Sequence, residues 1–179
     1  MKRGETPAIL AVSWGKGDPQ KDAVSVVYVN EQGQIREWVT LDNLVADEHR
    51  DEFQDIVKRR RPDAIVVGGL TIATSKLAQR VKELVTESNT QPTADVWGES
   101  PSTGGTLTMP VIYVFDDVAR LFQHSPRAEL ELAYLTTTQK YCVGLARYAQ
   151  SPLNEFASLG ADLATINFDP DHSLVSARF

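Results

Sequence analysis

The sequence predicts an α/β fold: a mixed five-stranded sheet with helices on its faces, its first three strands antiparallel. Three observations carry that expectation. Apolar runs at 8–12, 64–67 and 111–115 have the length of buried strands and are too short for helices. Two β-rich runs, 23–29 and 34–40, flank Asn30-Glu31-Gln32-Gly33, which is hairpin chemistry. Amphipathic segments then alternate with the later strands, as helices that cover a sheet do.

Composition narrows the class. At 179 residues the chain fits one domain, 1–179. A single cysteine, Cys142, excludes an internal disulfide and fits a reducing compartment. No stretch is apolar for 18 residues, so no membrane partner is expected. The start, Met1-Lys2-Arg3-Gly4-Glu5-Thr6-Pro7, lacks the apolar core of a signal peptide. A net charge of −6 argues against general nucleic-acid binding, which draws on cations that neutralise phosphates.

The first strand, which begins at Ala8, runs into a turn punctuated by Gly15 and Gly17. The run 23–29 follows, then the run 34–40. In the latter, Ile35, Glu37 and Val39 oppose Arg36, Trp38 and Thr40, an imperfect alternation that suits an exposed edge. Residues 47–61 read as a helix, with Phe53, Ile56 and Val57 on one face. Acids load its start and Lys58-Arg59-Arg60-Arg61 its end, as the macrodipole favours, and Pro62 stops it. That basic run reads first as dipole complement and solvated surface; nucleic-acid contact through Lys58, Arg59, Arg60 and Arg61 is the alternative.

The strand 64–69 ends in glycines, and Leu77, Val81, Leu84 and Val85 mark a helix to about Glu87, capped by Thr74 or Ser75. Residues 88–109 read as a flexible loop, and 111–115 as a third buried strand. Asp116-Asp117 open a short helix, where Asp116 reads as a cap or first-turn acid. Ser125-Pro126 and Ser151-Pro152 are helix starts, another helix spans about 137–150, and Gly160 reads as a closing glycine. Residues 164–168 read as extended, and Asp169-Pro170-Asp171-His172 as a turn.

This order of elements matches a ribonuclease H-like sheet. The segments Leu10-Ala11-Val12-Ser13-Trp14-Gly15-Lys16-Gly17-Asp18-Pro19, Arg59-Arg60-Arg61-Pro62-Asp63-Ala64-Ile65-Val66-Val67-Gly68-Gly69 and Val118-Ala119-Arg120-Leu121-Phe122 resemble a known family. So do Lys140-Tyr141-Cys142-Val143-Gly144-Leu145-Ala146-Arg147-Tyr148 and Gln150-Ser151-Pro152-Leu153-Asn154-Glu155. The chain, from about 9 to 175, is similar to the YqgF, or ribonuclease H-like, domains of eukaryotic Suppressor-of-Ty transcription elongation factors, in their fungal form, and to bacterial Tex. The resemblance implies a fragment of a larger nuclear protein with elongation and histone-chaperone roles. It implies as partners the other domains of the same factor, the RNA polymerase II machinery and histones.

Active relatives place one Asp at the end of the first strand, one acid after a later strand and one on the C-terminal helix. By position, Ser13 replaces the first and Asp116 matches the second. No Asp or Glu occurs from 132 to 154, nor from 6 to 17. Two-metal cleavage needs several converging carboxylates, so the nuclease site reads as degenerate, with no cofactor and no metal expected. The expected function is a non-catalytic scaffold. One alternative is a divergent nuclease or junction resolvase recruiting Asp18 or Asp63. The other is a non-catalytic nucleic-acid module using Lys16 and the 58–61 run. Cys142 reads as a buried core thiol without a dyad partner in His124, and His49 as a helix-surface residue.

Overall fold

A computed structural model describes residues 6–15, 17, 22–69, 71–90 and 109–159. Readings that fall elsewhere lie outside the described residues: those of Lys16, Asp18, 91–108, Gly160, 164–168 and 169–172. The order is β1 (Ile9–Ser13), β2 (Val24–Val29), β3 (Ile35–Leu41), α1 (Asp47–Arg60), β4 (Ala64–Gly68), α2 (Ile72–Thr90) and β5 (Val111–Val114), then α3 (Asp117–Phe122), α4 (Pro126–Glu131), α5 (Thr137–Gln150) and α6 (Pro152–Leu159). The sheet order is β3-β2-β1-β4-β5. β1 pairs antiparallel with β2, and β2 with β3; β4 runs parallel to both β1 and β5. This is the mixed ribonuclease H-like sheet that the sequence predicts.

β1 is central and every residue of it is buried, because strands flank it and helices cover both faces. Ile9 and Ala11 face the layer of α3, α4, α5 and α6, whereas Leu10 and Val12 face α1 and α2. The period-two alternation therefore feeds two separate cores. Phe122 fills one and Phe53 the other, both fully buried, and each contributes about 1.5–3 kcal/mol by leaving water.

α5 is the main helix of its layer, with Cys142 to Ala146 all buried. Thr136 caps it by accepting from the Gln139 N–H at 3.2 Å, and the Gln139 side chain accepts from the Thr136 N–H at 3.0 Å. A Cβ on Gly144 would come within 3.0 Å of the Ala119 Cα and 3.1 Å of Phe122, so only glycine lets α3 sit this close to α5. Ser125 caps α4 as expected, accepting from the Ala128 N–H.

Three expectations are corrected. β5 is not a buried strand: it lies at the sheet edge, with Ile112, Tyr113 and the following Phe115 exposed. β3, also an edge, alternates regularly, with Arg36, Trp38 and Thr40 outward and Ile35, Glu37 and Val39 half-buried. Trp38 packs on Tyr134 with ring centroids 5.3 Å apart, which is why so large an apolar residue is tolerated there. Finally, α2 is capped by the Thr71 hydroxyl, which accepts from Thr74 N–H, and the helix continues to Thr90 through the start of the expected loop.

Glu37 is the half-buried charge on β3, and Arg59 and Arg60 of α1 both donate to it, Arg60 at 2.6 Å. Burial alone would raise its pKa, but the two arginine hydrogen bonds outweigh burial and hold the carboxyl below the ordinary range. Glu131 is likewise lowered, first by its hydrogen bonds from Arg147 and against the cost of burial. A carboxyl lowered on folding stabilises the fold above its unfolded pKa, about 4.3, and loses that contribution as pH falls through the folded value. Urea midpoints are thus expected to be level above about pH 5 and to drop below about pH 4. In Glu37→Gln the drop is expected to be smaller, because one of the two linked carboxyls is gone.

Candidate functional site

The carboxyl ends of β1 and β4 converge on a cleft of about 200 Å³, where open parallel sheets usually bind ligands. β1 contributes Ser13 at its last position, 9% exposed and in register with Ser25 of β2. Trp14, Gly15 and Gly17 form the following turn, closed by the Gly17 N–H donating to the Trp14 carbonyl at 2.9 Å. β4 contributes Gly68 and then Gly69; the start of α2 contributes Thr71 and Thr74. Asp116 and Arg120 enter from the residues after β5, and Tyr141 from α5. The cleft continues into a broader depression that Asp22, Gln123 and Thr138 also line.

Ser13 and Asp116 are therefore brought to one cleft, as their positions in the sequence suggest. Asp116 does not cap its helix with its side chain, contrary to expectation. Its carboxylate instead accepts from the Tyr141 hydroxyl at 3.0 Å and lies 3.9 Å from Arg120 Nε. Arg120 is held in place by Asp117, to which it donates at 2.8 Å. Asp116 first, and then the Asp117 hydrogen bond, hold the guanidinium above its already high range. Burial first, and then the Asp116 charge, push the Tyr141 phenol well up, so it remains a hydrogen-bond donor at all ordinary pH.

The donor set around Asp116 is the reverse of a divalent-ion site, which gathers anionic or neutral oxygens. Here a hydroxyl stands at the end of β1, and one carboxylate already has a cation and a phenol as neighbours. Among the described residues no three of His, Cys, Asp and Glu gather within metal-binding reach. The residues do not fit the metals of a phosphate-cutting relative. The charged side chains of α5 are cations paired to acids of α4: Lys140 is buried and pairs with Glu129 at 2.7 Å, and Arg147 pairs with Glu131.

Other candidates are dispersed. Asp63 lies at the opposite end of the sheet, where it accepts from the Ala8 N–H at 2.8 Å, so it is no substitute ligand. Within the basic run, Arg59 and Arg60 are spent on Glu37, and Arg60 also stacks 5.6 Å over Tyr28. Lys58 and Arg61 are exposed, and Arg61 ends α1 in the left-handed conformation. Cys142 is fully buried and donates weakly to the Ser25 carbonyl at 3.6 Å, while burial pushes its thiol pKa far up. His49 is half-buried rather than a surface residue, with its Nδ1 unpartnered.

The ionisable residues of the cleft that were missed from sequence are Asp22, Arg120 and Tyr141. Arg120 had a local signal, since it stands four residues after Asp116 on a short helix. Tyr141 had none, because its partner is 25 positions away. Its seat depends on Gly68, where an added Cβ would meet the Tyr141 oxygen at 2.1 Å and Leu145 at 2.8 Å. Gly68→Ala is expected to lower stability by about 1–3 kcal/mol through overpacking. In a Tyr141→Phe background, which removes that oxygen, the same change is expected to cost at least about 0.5 kcal/mol less. Urea unfolding of the four proteins of this cycle measures the coupling, and strict additivity counts against the contact.

Comparison with known proteins identifies the family. The family model for YqgF, described as Holliday-junction resolvase-like of SPT6, matches residues 3–160. A protein of Gibberella zeae named transcription elongation factor SPT6 is 41% identical over 99% of this chain. Proteins of the same name from Mycosarcoma maydis and Schizosaccharomyces pombe are 38% and 36% identical, each over 94% of this chain. The chain spans only 11–13% of the length of these three relatives. With a matching family model over most of its length and that sheet order, the chain belongs to the YqgF, Holliday-junction resolvase-like family of SPT6.

Proposed function

We propose that this chain is a non-catalytic ribonuclease H-like module of a long nuclear transcription elongation factor, serving as scaffold and interaction surface. In this reading the whole polypeptide also acts as a histone chaperone and works with RNA polymerase II on chromatin. The relatives' names support the elongation role. One observation carries the non-catalytic part: Asp116 already has Arg120 as its counter-charge and Tyr141 as its hydrogen-bond donor. A divalent ion there would displace or repel the guanidinium, and would find a serine hydroxyl rather than a carboxylate at Ser13. A nucleic-acid-binding reading ranks behind this one, because two of the five cations it needs, Arg59 and Arg60, are paired to Glu37.

Calorimetric titration with Mn²⁺ tests the reading. No site tighter than about 1 mM is expected. A tighter site, with Mn²⁺-dependent cutting of RNA or a branched DNA junction that Asp116→Ala abolishes, establishes a divergent nuclease instead.

A further inference from the structure

The two edges of the sheet are built on opposite principles. β3 is guarded: Arg36 and Glu37 lie on it, Arg59 and Arg60 clamp Glu37, and its pairing with β2 slips at Tyr28/Val29. Charges and irregularities of this kind keep other strands from adding to an edge. β5 has neither device. Its residues are Val111, Ile112, Tyr113 and Val114, Phe115 follows, and no charge interrupts them. Ile112 is 41% exposed, Tyr113 42% and Phe115 68%.

The backbone of β5 is open as well. The Pro110 and Val114 carbonyls accept from Ile65 and Gly69 at 2.9 Å each, so the even positions face β4. By the alternation of a parallel ladder, Val111 and Tyr113 direct their N–H and C=O groups outward. Among the described residues no strand pairs with them. Lys82 of α2 stands beside this edge, 6.0 Å over the Tyr113 ring, and forms no ion pair among the described residues. An unguarded apolar edge with a lone cation beside it suits an extended segment that carries an acid.

We infer that the outer edge of β5 is the docking site of an extended segment from elsewhere in a longer polypeptide, which adds a strand beside β5 and sets an acidic side chain against Lys82. This rests on the reading of the chain as one module of a long protein. The curated relatives leave nearly nine-tenths of their length outside the matching region, so such a segment has ample sequence to come from. A second copy of this chain is the weaker occupant, because a four-residue edge pairing with itself buries little area.

Hydrogen exchange read by mass spectrometry, on the polypeptide purified from its native source and on this 179-residue chain, decides the matter. The Val111 and Tyr113 amides are expected to exchange at least about tenfold more slowly in the native polypeptide. Tyr113→Pro, which removes an outward N–H and leaves the bonds to β4, is expected to abolish that protection at Val111. Lys82→Glu is expected to weaken it and leaves the strand untouched should the proline variant misfold. Equal exchange in the two proteins overturns the inference. So does slow exchange already present in the 179-residue chain: if independent of concentration it assigns the cover to this chain, and if concentration-dependent to a second copy. A native polypeptide no longer than this chain overturns the module reading itself, an outcome seen in its mass before any exchange is measured.

Discussion

Everything at the cleft depends on how closely α5 lies on the sheet. Its buried run from Cys142 to Ala146 crosses β1, β2 and β4, and two positions set the distance. Gly144 lets α3 approach from one side, and Gly68 admits Tyr141 and Leu145 from the other. Neither could carry even a methyl group without displacing a neighbour. Interiors are packed to crystal-like density, so this clearance is a requirement on sequence. The tyrosine reaches the carboxylate because the helix is low enough.

The cleft that results has the position of a catalytic centre and a different charge logic. A metal-dependent nuclease assembles negative oxygens whose mutual repulsion the ion relieves. Here that repulsion never arises, since Asp116 is matched from within the chain by Arg120 and Tyr141. The cations on α5 answer acids on α4 in the same way. An arrangement satisfied internally is a stable surface feature.

The fold was legible wherever one residue's environment is set by its near neighbours in sequence. The buried runs of β1 and β4, the Asn30–Gly33 hairpin turn and the Ser125 cap all belong to that class. β5 was misjudged because Val-Ile-Tyr-Val-Phe has the composition of a covered strand, and only the sheet order reveals that it stands at the rim. Glu37 made β3 look irregular until the arginines of α1 supplied a reason for an inward charge. The basic run likewise read as solvated surface, although half of it turns back onto the sheet. In the site, Ser13 and Asp116 could be placed by counting along strands. Tyr141 could not, because a phenol on a helix declares nothing about which distant carboxylate it will meet.

Cys142 has a consequence of a different kind. The only sulfhydryl of the chain lies fully buried beneath α5 with the Ser25 carbonyl as its neighbour. An electrophile can reach it only when the helix lifts from the strands below. The rate at which alkylating reagents modify this residue therefore counts the opening events of that half of the core, and the molecule carries its own gauge of breathing.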